Sequence, residues 1–307
     1  MKKIIPIIVI LLIFLIGVGI LGYPLVSSVI NNIDMRNAED TYVEKSKQME
    51  PKEIKKQFDE AIAYNKSLIS NMILTDPFDE EAYKKIGERY TKVFNTGPAG
   101  LMGYIKIPKI NVNLPIYHGT SLEVLSKGAG HLENTSLPVG GTGTHSVISA
   151  HSAYPTQTFF DYLTDMEVGD SFYIYVLDRV LKYDVDQIKV VLPNDTSNLY
   201  IEHDKDYMTL ITCTPYTINT HRLLVRGKRV PYDPNDKTDI NAVTGGEGYM
   251  FFFGYRLSFW TIGGILVGFL LFVIIMVVLI VMLRRSRKNK PKHKDNKTTG
   301  DEKSDSG

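Results

Sequence analysis

The sequence predicts a mainly β protein: a barrel of about eight strands behind an N-terminal helical region, held between two transmembrane helices. Three observations predict it. Uncharged apolar runs stand near both ends of the 307-residue chain, a charged segment with helical spacing follows the first, and the middle alternates in short runs cut by Gly, Pro, Asn and Asp.

Lys2 and Lys3 precede the apolar run Ile4 to Leu21, and Phe259 to Leu283 is followed by Arg284, Arg285, Arg287, Lys288, Lys290, Lys292 and Lys294. Each run is close to the roughly 20 residues that cross a bilayer as a helix. A basic start and apolar centre also suit a cleaved signal peptide. The first run exceeds the usual apolar region of about 7 to 15 residues, however, and no small-x-small cleavage site follows it, so residues 1–26 read as an uncleaved anchor. Basic residues flank the outer end of each span, which by the positive-inside rule puts both termini in the cytoplasm and Asn31 to Tyr255 outside. Tyr249, Phe251, Phe252, Phe253, Tyr255, Phe259 and Trp260 form an aromatic belt before the second span, residues 255–283. Gly264 and Gly268 make a GxxxG pair, too common in membrane helices to specify dimerisation. The Lys-rich tail, residues 284–307, reads as disordered and cytoplasmic.

Residues 31–98 read as a helical region. Ile54, Phe58, Ala61, Ile62, Asn65, Leu68 and Ile69 follow helical spacing from Pro51, which suits a first turn, and Tyr83, Ile86, Tyr90 and Phe94 outline a second helix. Between them Pro77 disfavours helix at Asp76 and marks a break. After Gly97-Pro98-Ala99-Gly100 the period becomes two. Strands are expected at Tyr104–Ile107, Ile110–Ile116, Ser146–Ala150, Ser171–Leu177, Val180–Val185, Ile188–Leu192, Met208–Thr212 and Leu223–Arg226, with short helical pieces at Phe159–Leu163 and Asn198–Leu199. The barrel thus occupies residues 99–232, and residues 233–254 link it to the second span.

The charge balance, 35 Lys and Arg against 34 Asp and Glu, gives no reason to expect nucleic acid as a partner. No CxxC, HExxH, P-loop or strand-led GxGxxG is present, so no metal, nucleotide or other cofactor is expected. His131 with Glu133 has a spacing too common to count as a metal site. One cysteine, Cys213, excludes an internal disulfide. Most single cysteines are small buried hydrophobes, but a free thiol in an external domain is more often kept for chemistry. Cys213 ends the run Met208–Thr212, sharing a pleat face with Thr209 and Ile211. The returning run carries Arg222, Leu224 and Arg226 on one face, so a cation lies near the thiol. A positive charge or a histidine favours the reactive thiolate over the thiol, whose free pKa is about 8.5. Of the seven histidines, His151 is the best partner because it also ends a strand. His131 falls in a Gly-rich loop, His118 and His203 fall in turns, and His221 directly precedes Arg222. Arg222 and Arg226, on the same face, are both candidates for the essential cation.

Several separate segments then resemble one family. TLITCTPYTINTHRLLVRGKR at Thr209–Arg229, HLENTSLPVGG at His131–Gly141, THSVISAH at Thr144–His151, DTSNL at Asp195–Leu199 and DPF at Asp76–Phe78 resemble the sortases, more narrowly the class C, pilin-polymerising sortases. The resemblance implies a sortase-type barrel in which Cys213 attacks the Thr–Gly carbonyl of an LPXTG-like sorting signal and holds the acyl part as a thioester. It gives His151 the acid and base steps and Arg222 the oxyanion, and makes Asp76, Pro77 and Phe78 a lid, with Asp76 facing the arginine and Phe78 covering the cysteine. The implied partners are pilin subunits that supply the sorting signal and an acceptor lysine, with the cell-wall precursor as the alternative acceptor of an anchoring enzyme. A third reading, a silent membrane-bound scaffold for pilus assembly, is disfavoured by the intact Cys213, His151 and Arg222. Two positions depart from the family pattern: His151-Ser152-Ala153-Tyr154-Pro155 replaces an HRGLP-like run, and Thr217 stands where glycine is expected.

Overall fold

The computed structural model describes residues 5–68, 74–79, 87–235, 249–252 and 255–288. They fall into two units, Met1–Phe259 and Trp260–Gly307. In the first unit helix α1 runs unbroken over Ile5–Gln48, so the apolar start and the charged segment after it form one rod. Helix α2, Pro51–Ser67, buries Phe58 and Ala61 of the stripe read from the sequence, together with Tyr64, whereas Ile62 of that stripe is exposed. Helix α3 is only Glu88–Lys92. Of the helix outlined by Tyr83, Ile86, Tyr90 and Phe94, the first two lie outside the described residues, and Phe94 stands beyond the helix at φ 56°.

The barrel is closed, as the repeated alternation predicts. Its strands are β1 Leu101–Ile107, β2 Val112–His118, β3 Ala129–His131, β4 Thr144–Ser149, β5 Ser171–Val176, β6 Arg179–Val191, β7 Asp206–Thr214 and β8 His221–Val230. The order around it is β1-β2-β3-β4-β7-β8-β6-β5, with β2–β3 and β4–β7 parallel. The strand count agrees with the sequence, but its composition differs in two places. The expected strands Val180–Val185 and Ile188–Leu192 are one strand, β6, whose register shifts between Val185 and Gln187 against β8. The polar Asp186 that looked like a break is the bulged residue. Conversely, β3 lies where a Gly-rich loop was expected. Its three residues are too short to show alternation, and a Cβ on Gly130 would stand 2.2 Å from the Gly119 carbonyl oxygen.

The interior is filled by Met102, Ile105, Ile116, Phe172, Ile174, Met208, Leu210, Leu223 and Val225, all buried. A second cluster of Leu74, Leu132, Val147, Leu199, Ile211 and Leu224 covers the outer face of β4, β7 and β8. Strand β7 is therefore buried on both faces, and its apolar residues Met208, Leu210, Ile211 and Cys213 fall on both sides of the pleat. Helix α1 packs on the same barrel: the Tyr42 hydroxyl donates to the Met102 carbonyl at 2.8 Å and accepts from the Leu177 N–H at 2.8 Å.

Residues Tyr249–Phe252 and Tyr255–Ser258 pair antiparallel. Residues 255–258, at the expected start of the second span, are thus strand, and the aromatic residues that suggest an interfacial belt also suit paired strands. In the second unit, helix α5 spans Phe259–Lys288, and its Trp260–Val278 segment is the one helix among the described residues long and apolar enough to cross a membrane.

Candidate active site

Parity places the candidate residues. On β7 the odd-numbered Ile211 and on β8 the even-numbered Leu224 belong to the outer cluster, as does Val147 of β4. Cys213 is the direct cross-strand partner of Arg222 in the antiparallel β7–β8 pair, so both side chains rise from that same face. His151 lies just beyond β4, whose parallel register with β7 reaches Ser149 opposite Ile211. The Ala150 N–H donates to the Ile211 carbonyl at 3.1 Å and the Thr212 hydroxyl to the Ala150 carbonyl at 2.9 Å, carrying the pairing to the residue before His151. Arg226 rises from the same face opposite Thr209, four residues from Arg222 along β8. It is bound through two nitrogens to Asp186, both at 2.9 Å.

Asp76 and Phe78 come to this face from a segment far away in sequence. The Arg222 Nε and Nη2 donate to the two Asp76 carboxylate oxygens at 2.8 and 2.5 Å, and Nη1 donates to the Asn219 and His221 carbonyls at 3.0 Å each. Every nitrogen of the guanidinium is thereby engaged. The Phe78 ring stands 5.6 Å from the His151 ring and 5.0 Å from the Arg222 guanidinium carbon. Cys213, the cross-strand partner of Arg222, is 9% exposed.

The segment is held by its own turn and by two contacts that the sequence reading assigned no role. The Asp79 N–H donates to the Asp76 carbonyl at 3.0 Å, and the Phe78 N–H reaches the Asp76 carboxylate at 3.4 Å. Pro77 is buried. Leu74 is buried in the outer cluster, against which Phe78 packs, and the Thr196 hydroxyl donates to the Leu74 carbonyl at 3.3 Å. Thr196 and Leu199, from the DTSNL segment, thus hold Leu74. The apolar residue two places before Asp76 was the available signal.

Burial pushes the Cys213 thiol up to about 11; Arg222 opposes that rise and Asp76 adds to it. Burial also lowers His151 below the ordinary histidine value. At neutral pH the site therefore holds a thiol and a neutral imidazole, with the cation that could favour the thiolate neutralised by Asp76.

The two departures from the family pattern are now explained in backbone terms. Ala153 has φ 59° and Thr217 φ 65°, left-handed conformations that glycine adopts freely. A residue with a Cβ there costs roughly 1–2 kcal/mol, and a β-branched one is a genuine outlier. One strained residue follows His151 and the other follows Cys213.

The remaining histidines near the barrel are structural. His131 bonds the Tyr90 hydroxyl at 2.9 Å and the Ser136 carbonyl at 2.9 Å, and burial lowers it to about 3. His145 lies between the Tyr200 carbonyl and the Thr209 hydroxyl, lowered by burial to about 4. Both ring nitrogens of His118 lie 2.7 Å from backbone carbonyls, of Gly100 and Val93. Glu133 accepts from the Gly87 N–H at 2.8 Å. Among the described residues no group of three His, Cys, Asp or Glu is placed to hold a metal ion.

Comparison with known proteins follows the same line. A model of the Sortase domain matches residues 105–230. Sortase D of Bacillus subtilis (strain 168) is 33% identical over 138 residues, 44% of this chain and 66% of that protein. Sortase A of Bacillus anthracis is 28% identical over 130 residues, 42% of this chain and 60% of that one. The chain thus spans less than two thirds of the length of these curated relatives. Solved structures match over nearly their whole length. Sortase C-1 of Streptococcus pneumoniae is 45% identical with a TM-score of 0.60, covering 64% of this chain and 100% of that chain. A pilus-related sortase C of Group B Streptococcus is 46% identical with a TM-score of 0.58, covering 63% and 97%.

Proposed function

We propose that this chain, which belongs to the sortase family of cysteine transpeptidases, joins pilin subunits through an isopeptide bond. In the first step the Cys213 sulfur attacks the Thr carbonyl carbon of an LPXTG-like sorting signal. The thiol proton passes through His151 to the leaving glycine amine as the C–N bond breaks and the thioester forms. In the second, a pilin lysine enters as a neutral amine and attacks the thioester. Its proton passes through His151 back to the departing sulfur, and the C–S bond breaks. Arg222 stabilises the oxyanion in both steps, once Asp76 has withdrawn.

One observation carries this reading: a carboxylate from a distant segment occupies the guanidinium fork of the arginine directly across from the cysteine. A bidentate anion site beside a thiol suits a developing oxyanion, and Asp76 fills it in the resting form. The roles of Cys213, His151 and Arg222, and of Asp76, Pro77 and Phe78 as a lid, are part of the proposal. So is the layout: residues 1–26 and α5 as anchors with both termini cytoplasmic, and residues 99–232 as an external catalytic barrel. An apolar α5 supports the membrane placement, and sortase C neighbours support pilin as substrate.

The test is intact-mass and fragment analysis of products from the full-length protein in detergent, given an LPXTG-type peptide and a lysine-bearing pilin domain. A Thr–lysine isopeptide that disappears in Cys213→Ala is expected. Normal product from Cys213→Ala would sink the assignment, and a thioester that resolves only onto water or glycine amines would overturn pilin polymerisation in favour of anchoring.

A further inference from the structure

The segment that follows His151 and the loop that follows Cys213 meet at one buried carboxylate that the chemistry above does not use. Asp161 is 7% exposed. Its Oδ1 accepts from the Ala153 N–H and its Oδ2 from the Phe159 N–H, both at 2.8 Å. It also accepts from the Tyr216 hydroxyl, which comes from the loop between β7 and β8. A second tie runs beside it: the Ser152 hydroxyl donates to the Cys213 carbonyl at 2.7 Å.

These ties fall on the strained backbone. Ala153 is itself the residue at φ 59°, and Tyr216 directly precedes Thr217 at φ 65°. Positions held in conformations that their side chains disfavour persist only where neighbours over-determine them. Tyr154, next in the chain, lies stacked on the His151 ring at 5.4 Å and packs edge-on against Phe159 at 5.5 Å, the residue whose N–H Asp161 also holds. The chain of contact therefore runs from the carboxylate through two backbone amides to the ring stacked on the imidazole. Phe78, on a separate segment, is the other aromatic ring against His151.

We propose that Asp161, with Ser152, is a clasp that fixes the His151 imidazole relative to the Cys213 thiol when Phe78 withdraws, making Asp161 a positioning residue for the transfer. This rests on the roles given above to His151 and Cys213. The clasp acts on geometry, so it affects turnover rather than substrate affinity. A ring that wanders by about 1 Å from a productive position can cost up to roughly a hundredfold in rate.

The experiment uses the full-length protein in detergent, assayed well below each variant's melting temperature. Asp161→Asn keeps the shape and loses one acceptor; kcat is expected to fall about tenfold with KM within about twofold. Tyr216→Phe removes one donor alone and is expected to cost about threefold, with the double variant no worse than Asp161→Asn. Adding Ala153→Gly to Asp161→Asn should recover about threefold, because glycine needs no fastening at that φ. A kcat within twofold of the parent in Asp161→Asn, or no recovery with Ala153→Gly, overturns the clasp. If Asp161→Asn does not fold, Ser152→Ala and Tyr216→Phe decide it, and parental turnover in both overturns it. The His151 ring resonance in 13C-histidine-labelled protein gives a readout independent of transfer, and it should shift in Asp161→Asn; an unmoved resonance also overturns the clasp. Full transfer by His151→Ala would remove the catalytic role given to His151 and leave the resonance to judge the clasp.

Discussion

Arg222 and Arg226 stand on one face of one strand, and each is bound bidentately by an aspartate. They differ in where the aspartate comes from. Asp186 is the bulge of β6, the strand paired with β8, and Arg226 also lies 4.0 Å above the Tyr207 ring and 3.7 Å from Glu202. That site is part of the barrel wall. Asp76 comes from a sequence distance of 146 residues, on a turn held by Leu74 and the Thr196 hydroxyl. The comparison teaches that a cation is available for chemistry when its partner can leave without unfolding the sheet. Arg226 is a fastening, and Arg222 is an occupied site.

The largest expected effect that could break this contrast is at Arg222. Arg222→Lys should lower transfer by about a hundredfold or more, because an ammonium cannot reproduce the planar fork, and should leave melting nearly unchanged. The same exchange at Arg226 should leave transfer within about threefold and cost roughly 1–2 kcal/mol of stability, read by denaturant melts. Equal losses of transfer in both variants would erase the distinction.

Removal of the partners sharpens it further. Asp76→Ala with Phe78→Ala should speed modification of Cys213 by a thiol reagent about tenfold at pH 8, whereas Asp186→Ala should not change that rate. The sign follows from the causes. Burial and the Asp76 carboxylate both raise the thiol, so their removal lets Arg222 draw it down from about 11 toward its ordinary value. The pH dependence of modification would show this as a lower apparent pKa, and an unchanged pH profile would reduce the DPF turn to a structural loop.

The smallest expected effect is at Leu74, two residues before Asp76. Leu74→Ala removes the apolar plug from the outer cluster without touching Asp76, and should speed modification only about twofold to fivefold. A rate equal to that of the double variant would mean that the plug, not the ion pair, keeps the site closed.

Much of this site was legible before the fold. Cys213 ends an apolar run and His151 ends another, and strand alternation put Arg222 and Arg226 on one face, because side-chain direction in a strand is a local property. The choice between the two arginines was not legible from local pattern. It depends on the register that sets Cys213 opposite Arg222 and Thr209 opposite Arg226, and register is set by pairing between strands. The DTSNL segment shows the same limit: it resembled a family motif without a role, and only packing puts Thr196 and Leu199 behind Leu74. Nothing local in Phe159–Leu163 marks out Asp161; its place is defined by donors from residues 153, 159 and 216.

By itself the sequence determined the alternation of the strands, the burial of Phe58 and Ala61 on α2, the apolar α5 and the two strand ends that carry the thiol and the imidazole, since each follows from residues within a few positions of one another. Tertiary structure alone decided that β6 is one bulged strand, that β3 closes the circle between β2 and β4, and that Asp76 meets Arg222 while Asp186 meets Arg226. Those outcomes depend on strand pairing and on the docking of a segment from outside the barrel, which bring together groups as much as 146 residues apart, and no local pattern of hydrophobic and polar residues encodes which distant charge will arrive.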